Sequence, residues 1–222
     1  LSACGSRSCG IIALAASLTL AACGGSDPRQ DAGEPHADFR VAVTTARFPA
    51  SQRLAQRTDL VIAVRNAGRQ TIPDVAVTIC NVTCAYPAPP GEGSSAEAFS
   101  ANLPPQPGLA NTSRAVWIIN RSPGPCAYNC RAGGAGGAVT AYSNTWALGR
   151  LAPGATARFQ WAVTAVQAGR HVVAWQVAAG LDGNARAVLA DGSQPRGTFA
   201  VEIGSAPPRY YVKPDGTVVT VG

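Results

Sequence analysis

The stretch Thr156-Ala-Arg-Phe-Gln-Trp-Ala-Val-Thr-Ala165, then Gln167-Ala-Gly169, then His171-Val-Val-Ala-Trp-Gln-Val-Ala178, decides the fold. Apolar and polar side chains alternate in both runs, which is the period of a half-buried strand and not of a helix. Alternation puts Phe159 and Trp161 on one face of the first strand and Val173 and Trp175 on one face of the second. The short Gly-containing connection predicts a long hairpin.

The same pattern extends outward in both directions. Phe39–Phe48, Asp59–Asn66, Val75–Ile79 and Ala115–Ile119 read as strands before the central pair, and Thr145–Leu151 leads into the turn Ala152-Pro-Gly154. Ala185–Ala190 and Thr198–Ile203 follow it, separated by Asp191-Gly192. Ser95–Ser100 is the one short helix candidate. With 24 glycines and 17 prolines in 222 residues, turns are favoured over long helices. The expectation is an all-β protein, an antiparallel β-sandwich over residues 39–205. Ile62, Val64, Val75, Phe159, Trp161, Val173 and Trp175 should build its core. Trp117 and Trp146 also fall on strands and read as core or sheet-face residues.

Residues 206–222 read as a separate C-terminal hairpin extension. Tyr210-Tyr-Val-Lys213 and Thr217-Val-Val-Thr-Val221 flank Pro214-Asp-Gly216, whose proline and glycine suit a tight turn. Ala206-Pro-Pro208 is a stiff connector before it.

The N-terminus reads as an address. Ile11–Ala22 is an uncharged apolar segment, too short to span a bilayer and of the right length for a signal-peptide core. No apolar run reaches the ~18 residues of a helical span. Leu20-Ala-Ala-Cys23 closes that core and resembles the bacterial lipoprotein lipobox. The resemblance implies a signal peptide over residues 1–22, and a Cys23 that carries diacylglycerol and an acyl chain such as palmitate. The protein would then be exported and held at the cell membrane or envelope by its lipid. Each buried CH₂ of such chains contributes about 0.8 kcal/mol. Residues 23–38, with four acids and one arginine, read as an acidic flexible tether.

Seven cysteines are present; Cys4 and Cys9 lie in the signal segment and Cys23 is the lipidation candidate. Cys80, Cys84, Cys126 and Cys130 remain, as two C-x3-C pairs, the first at the start of the long connection 81–113 and the second within the long connection 121–144. An even number in an exported domain implies disulfides. If Asp74–Cys80 and Arg114–Asn120 are adjacent strands, cross-pairing is disfavoured, so the local pairs Cys80–Cys84 and Cys126–Cys130 are expected, with the other connectivities left open. The alternative is that the C-x3-C pairs handle thiols or copper with a distant histidine, for which His171 is the candidate. Three prolines follow Cys84 within six residues, which does not suit the strand-to-helix setting of that chemistry.

Other chemistry finds little support. The only histidines are His36, in the tether, and His171. His171 has no Gly-x-Ser-x-Gly partner for a hydrolytic triad. Glu92 and Glu97 are the nearest approach to a glycosidase carboxylate pair, and they fall in a long loop. Arg131–Ala138 is glycine-rich but lacks the Gly-Lys-Ser/Thr ending of a phosphate cradle. No catalytic, metal or cofactor site is expected, and the chain reads as a non-enzyme.

The formal charge is +6, and 17 of the 18 basic residues are arginine, Lys213 being the exception. Removing residues 1–38, with Arg7, Arg29 and four acids, leaves +8. The arginines are dispersed and not interleaved with aromatics, so a nucleic-acid partner is not expected. Besides the membrane, the candidate partners are an envelope polymer or an envelope protein.

Two stretches resemble bacterial Ig-like repeat modules of the cell-adhesion-related (CARDB) and conserved-repeat kind. In Leu60–Ile79 a strand, Asn66-Ala-Gly68 and Val75-Ala-Val follow the pattern V-x-N-x-G … V-x-V, and in Leu148–Ala178 Gly149–Gly154 opens a strand that returns after Ala168-Gly169. The resemblance implies an Ig-like sandwich, with two long disulfide-bearing loops and a C-terminal hairpin added. Modules of this kind share a fold and not a chemistry, so a binding or structural role is what it implies.

Overall fold

The computed structural model describes residues 33–81, 84, 98–102, 108, 113–124, 144–207 and 209–221. Every regular element among them is a strand. In chain order these are β1 (Ala37–Arg47), β2 (Ser51–Arg53), β3 (Arg57–Asn66), β4 (Ala76–Asn81) and β5 (Ser100–Asn102). Then come β6 (Ser113–Ala115), β7 (Trp117–Arg121), β8 (Thr145–Ala147), β9 (Thr156–Ala165) and β10 (Gly169–Ala178). The last four are β11 (Ala185–Val188), β12 (Arg196–Gly204), β13 (Arg209–Val212) and β14 (Val218–Val221).

Two five-stranded sheets, β11-β1-β3-β9-β7 and β2-β12-β10-β4-β8, share one hydrophobic core. This is an Ig-like β-sandwich. The central pairings are antiparallel, whereas β11 on β1 and β2 on β12 are parallel additions at the edges. The alternation places the core as expected: Ile62, Val64, Val75, Phe159, Trp161, Val173 and Trp175 are all buried. Across β3 and β9, Leu60 faces Trp161 and Ile62 faces Phe159. Phe159 and Trp161 stack at 6.1 Å between ring centroids.

The central pair does not form a hairpin. β9 bonds to β3 and β7, whereas β10 bonds to β4 and β12 in the other sheet. The chain arches between sheets through Val166-Gln-Ala168, with Gly169 at φ 123° taking the left-handed backbone that few side chains permit. Both strands need a buried inner face, and an arch gives each of them one across the core. For the same reason β4 and β7 are not neighbours: they belong to opposite sheets.

Two further departures concern loops. Ala115–Ile119 is not one strand: β6 pairs with β5 and β7 with β9, and the chain breaks at Val116. The carbonyl of Phe99 accepts the N–H groups of both Val116 and Trp117 at that break (2.9 and 3.0 Å). Phe99 itself lies within the segment expected to be helical, yet Ala98 and Phe99 form a turn into β5; the rest of that expectation, residues 95–97, is outside the described residues. The Phe99 ring is buried against Trp117, Trp146 and Trp161, with centroids 6.3–6.4 Å apart. Its φ of 65° is unusual for a bulky residue, and this aromatic cage holds it there.

At the N-terminal end β1 starts at Ala37, two residues inside the stretch expected to be tether, because Ala37–Arg40 pairs in parallel with Ala185–Val188.

Candidate functional site

Among the described residues the most exposed large apolar side chains are on the C-terminal hairpin. Among the described residues β13 and β14 pair only with each other, Tyr210 opposite Thr220 and Val212 opposite Val218. The turn is built as its residues dictate. Gly216 sits at φ 83°, Gly216 N–H donates to the Lys213 carbonyl and Lys213 N–H to the Thr217 carbonyl. Asp215 Oδ1 accepts the Thr217 N–H at 2.9 Å, a bond that holds the Asp215 carboxyl below its usual range.

Above this turn Tyr210, Tyr211, Val212 and Val218 are 57, 51, 65 and 63% exposed. Alternation sends Tyr210 and Val212 to one face and Tyr211 to the other, so both faces carry apolar surface. Arg209 and Lys213 bracket the strand. Such a surface offers two rings, a ladder edge of unpaired backbone groups and cationic ends to a partner.

The residues singled out in the sequence are placed as follows. Cys80 is bonded to Cys84, Cα atoms 5.2 Å apart, at the end of β4. Cys23, Cys126 and Cys130 lie outside the described residues, as do Glu92 and Glu97. Cys80 is paired with Ala174 of β10 and therefore shares its outward face, whereas His171, two residues before buried Val173, points to the inner side. Cys80 and His171 are on opposite faces of one sheet and do not form a joint ligand set. His171 instead meets Trp117 edge-on at 5.6 Å.

Beside it is a polar arrangement that the sequence did not reveal. Gln52, on the three-residue strand β2, is 2% exposed. Its Oε1 accepts the Trp117 indole N–H at 2.8 Å and its Nε2 donates to the Pro49 carbonyl at 2.9 Å. The bonds satisfy an amide that would otherwise be costly to bury. They also pin the edge strand to the core. His171 Nε2 and Gln167 Oε1 are buried without a hydrogen-bond partner among the described residues. Among those residues no group of three His, Cys, Asp or Glu side chains is close enough to hold a metal.

The chain matches no family profile and no curated protein. Among solved structures it is similar to the CARDB domain of a Pyrococcus furiosus protein determined with two metal ions, at 12% identity, TM-score 0.39, covering 76% of this chain and 94% of that one. It is also similar to native alpha-2-macroglobulin from Escherichia coli (12%, TM-score 0.39, 82% of this chain and 21% of that one). A human ASH/PapD-like domain is a third (9%, TM-score 0.33, 77% and 88%). At this level of likeness the function has to be read from the molecule's own geometry.

Proposed function

We propose that this chain is a lipid-anchored cell-envelope protein whose Ig-like sandwich is a non-catalytic binding module, presenting its C-terminal hairpin to an envelope partner. The observation that carries the binding role is the exposed Tyr210, Tyr211, Val212 and Val218 on a two-stranded element that no sandwich strand joins. A lone hairpin is marginal in water, so a partner that covers its faces or extends its ladder stabilises it.

The anchor rests on Leu20-Ala21-Ala22-Cys23 after an apolar segment. The copper or thiol reading is disfavoured by the Cys80–Cys84 bond and by His171 facing the other way. Cys23→Ala tests the anchor: the protein should move from the membrane to the soluble fraction, and an acylated, membrane-bound variant would refute lipidation at Cys23.

A further inference from the structure

Among the described residues before β1, Glu34 is the one whose side chain bonds to the sandwich. Glu34 reaches the turn between β10 and β11, where its Oε2 accepts the backbone N–H groups of Leu181 (2.7 Å) and Asp182 (2.8 Å). Its Oε1 accepts the N–H of Ala185 at 2.5 Å. Converging backbone N–H groups of this kind form an anion-binding concavity, and bonds to an ionised carboxylate are roughly twice as strong as neutral ones. The concavity also has a fitted wall. A Cβ on Gly180 would fall 2.1–2.4 Å from the Glu34 carboxyl atoms, so only glycine leaves room for the group.

The surroundings identify the head group the turn selects and the space beside it. The nest is made of main chain, so it recognises the carboxylate and not a particular side chain. Next to it opens a cleft of about 520 Å³, in which Thr78, Thr145, Gln176 and Gln194 supply neutral polar groups, Leu181 an apolar one, and Asp38 and Asp182 carboxylates, the Asp182 carboxylate accepting a hydrogen bond from Asn184 Nδ2 at 3.3 Å. Arg186 on its rim is already engaged by Asp38 at 2.7 Å. Glu34 enters from outside the sheet: the first ladder pair of β1 is Ala37 with Ala185, three residues on. The carboxylate is therefore attached to the fold by its own three bonds and by Pro35-His36, the two residues that lead into β1.

We propose that the turn Gly180–Ala185 is a carboxylate-binding nest for acidic peptide segments, occupied in the resting chain by Glu34 acting as a detachable latch. A ligand in trans competes with an intramolecular one whose effective concentration is of millimolar order for a short linker. Removing the Glu34 carboxylate opens the nest without touching the donors.

The test is an NMR titration of the full chain, reading the amides of Leu181, Asp182 and Ala185. The probes are the blocked tripeptide Gly-Glu-Pro and its Gly-Gln-Pro counterpart. In Glu34→Ala, the Glu probe should give saturable shifts at those amides and the Gln probe none. Wild type should need at least about tenfold more of the Glu probe for the same shift, as an intramolecular competitor requires. Glu34→Gln keeps the stem and its packing and serves as a second background, in which the Glu probe should again act at lower concentration than in wild type. Absence of saturable shifts in both variants, equal response to the two probes, or equal response of wild type and both variants would overturn the proposal.

Discussion

Strand β9 and the pair β13–β14 are both rich in aromatic and β-branched residues. Yet Phe159 and Trp161 of the first are fully buried, while Tyr210, Tyr211, Val212 and Val218 of the second are more than half exposed. Strand-forming composition is common to the two regions, and what separates them is a neighbour. β9 lies between β3 and β7 with the second sheet across the core, where Phe99 and Trp146 close on Trp161 at 6.3 and 5.3 Å. Removing apolar surface from water is worth about 25 cal/mol per Å², and a large aromatic side chain carries about 150–250 Å² of it. The hairpin leaves much of that contribution unrealised until something covers it.

The largest effect should come from breaking the buried side. Trp161→Ala removes the ring at the meeting point of Phe99, Trp146 and Phe159, and should cost about 3–5 kcal/mol. Denaturant unfolding checks this, and a loss below about 1 kcal/mol would mean that the cage is not the centre of the fold.

An intermediate effect is expected at Asp74, where the sandwich meets the latched N-terminal segment. Burial pushes its carboxyl above the usual range, against the pull of the Gly149 N–H at 2.8 Å, with the Glu34 charge adding to the rise. A raised folded-state value means that the folded protein holds this proton more tightly than the unfolded chain. Stability contributed by the group is therefore present in acid and lost as pH climbs from the unfolded value through the folded one. Asp74→Asn should consequently match wild type well below pH 3.8 and exceed it in melting temperature at neutral pH. Thermal melts across that window would contradict the account if the gap closed, or reversed, on going to neutral pH.

The smallest effect should come from the exposed side. Tyr211→Ser and Val212→Ser should change the stability of the sandwich by no more than about 0.5 kcal/mol, and the proposed binding role adds that they should weaken capture of a partner. Equilibrium unfolding followed by tryptophan fluorescence reads the sandwich alone, since Trp117, Trp146, Trp161 and Trp175 all lie in it. A large loss would place the hairpin among the elements that hold the core together.

The same contrast explains what could be read from the sequence. Alternation declares which face of a strand is buried, so Ile62, Phe159, Trp161, Val173 and Trp175 were legible as core, and Pro214-Asp-Gly216 as a turn. Alternation is silent on which strand lies alongside. An arch and a hairpin satisfy the same pattern, which is why β9 and β10 read as partners although they belong to different sheets. Phe99 and Gln52 were hidden for another reason: each acts from a three-residue strand or its edge, too short for any period, and each is fixed by distant partners such as Trp117. Glu34 sits in an acid-rich stretch that reads as solvated. Its ligands are main-chain N–H groups about 150 residues away, and backbone donors leave no mark in a sequence.

Amide hydrogen exchange on the full chain at monomer concentration tests the central contrast directly, because it reports the opening free energy of each ladder separately. Exchange in β3, β9 and β10 should require global unfolding, while Arg209–Val212 and Val218–Val221 should exchange rapidly and gain protection only when the partner binds. Protection of the hairpin equal to that of β9 in the unbound monomer would contradict the account, since it would mean that the exposed strands are already held by the sandwich and offer no free surface.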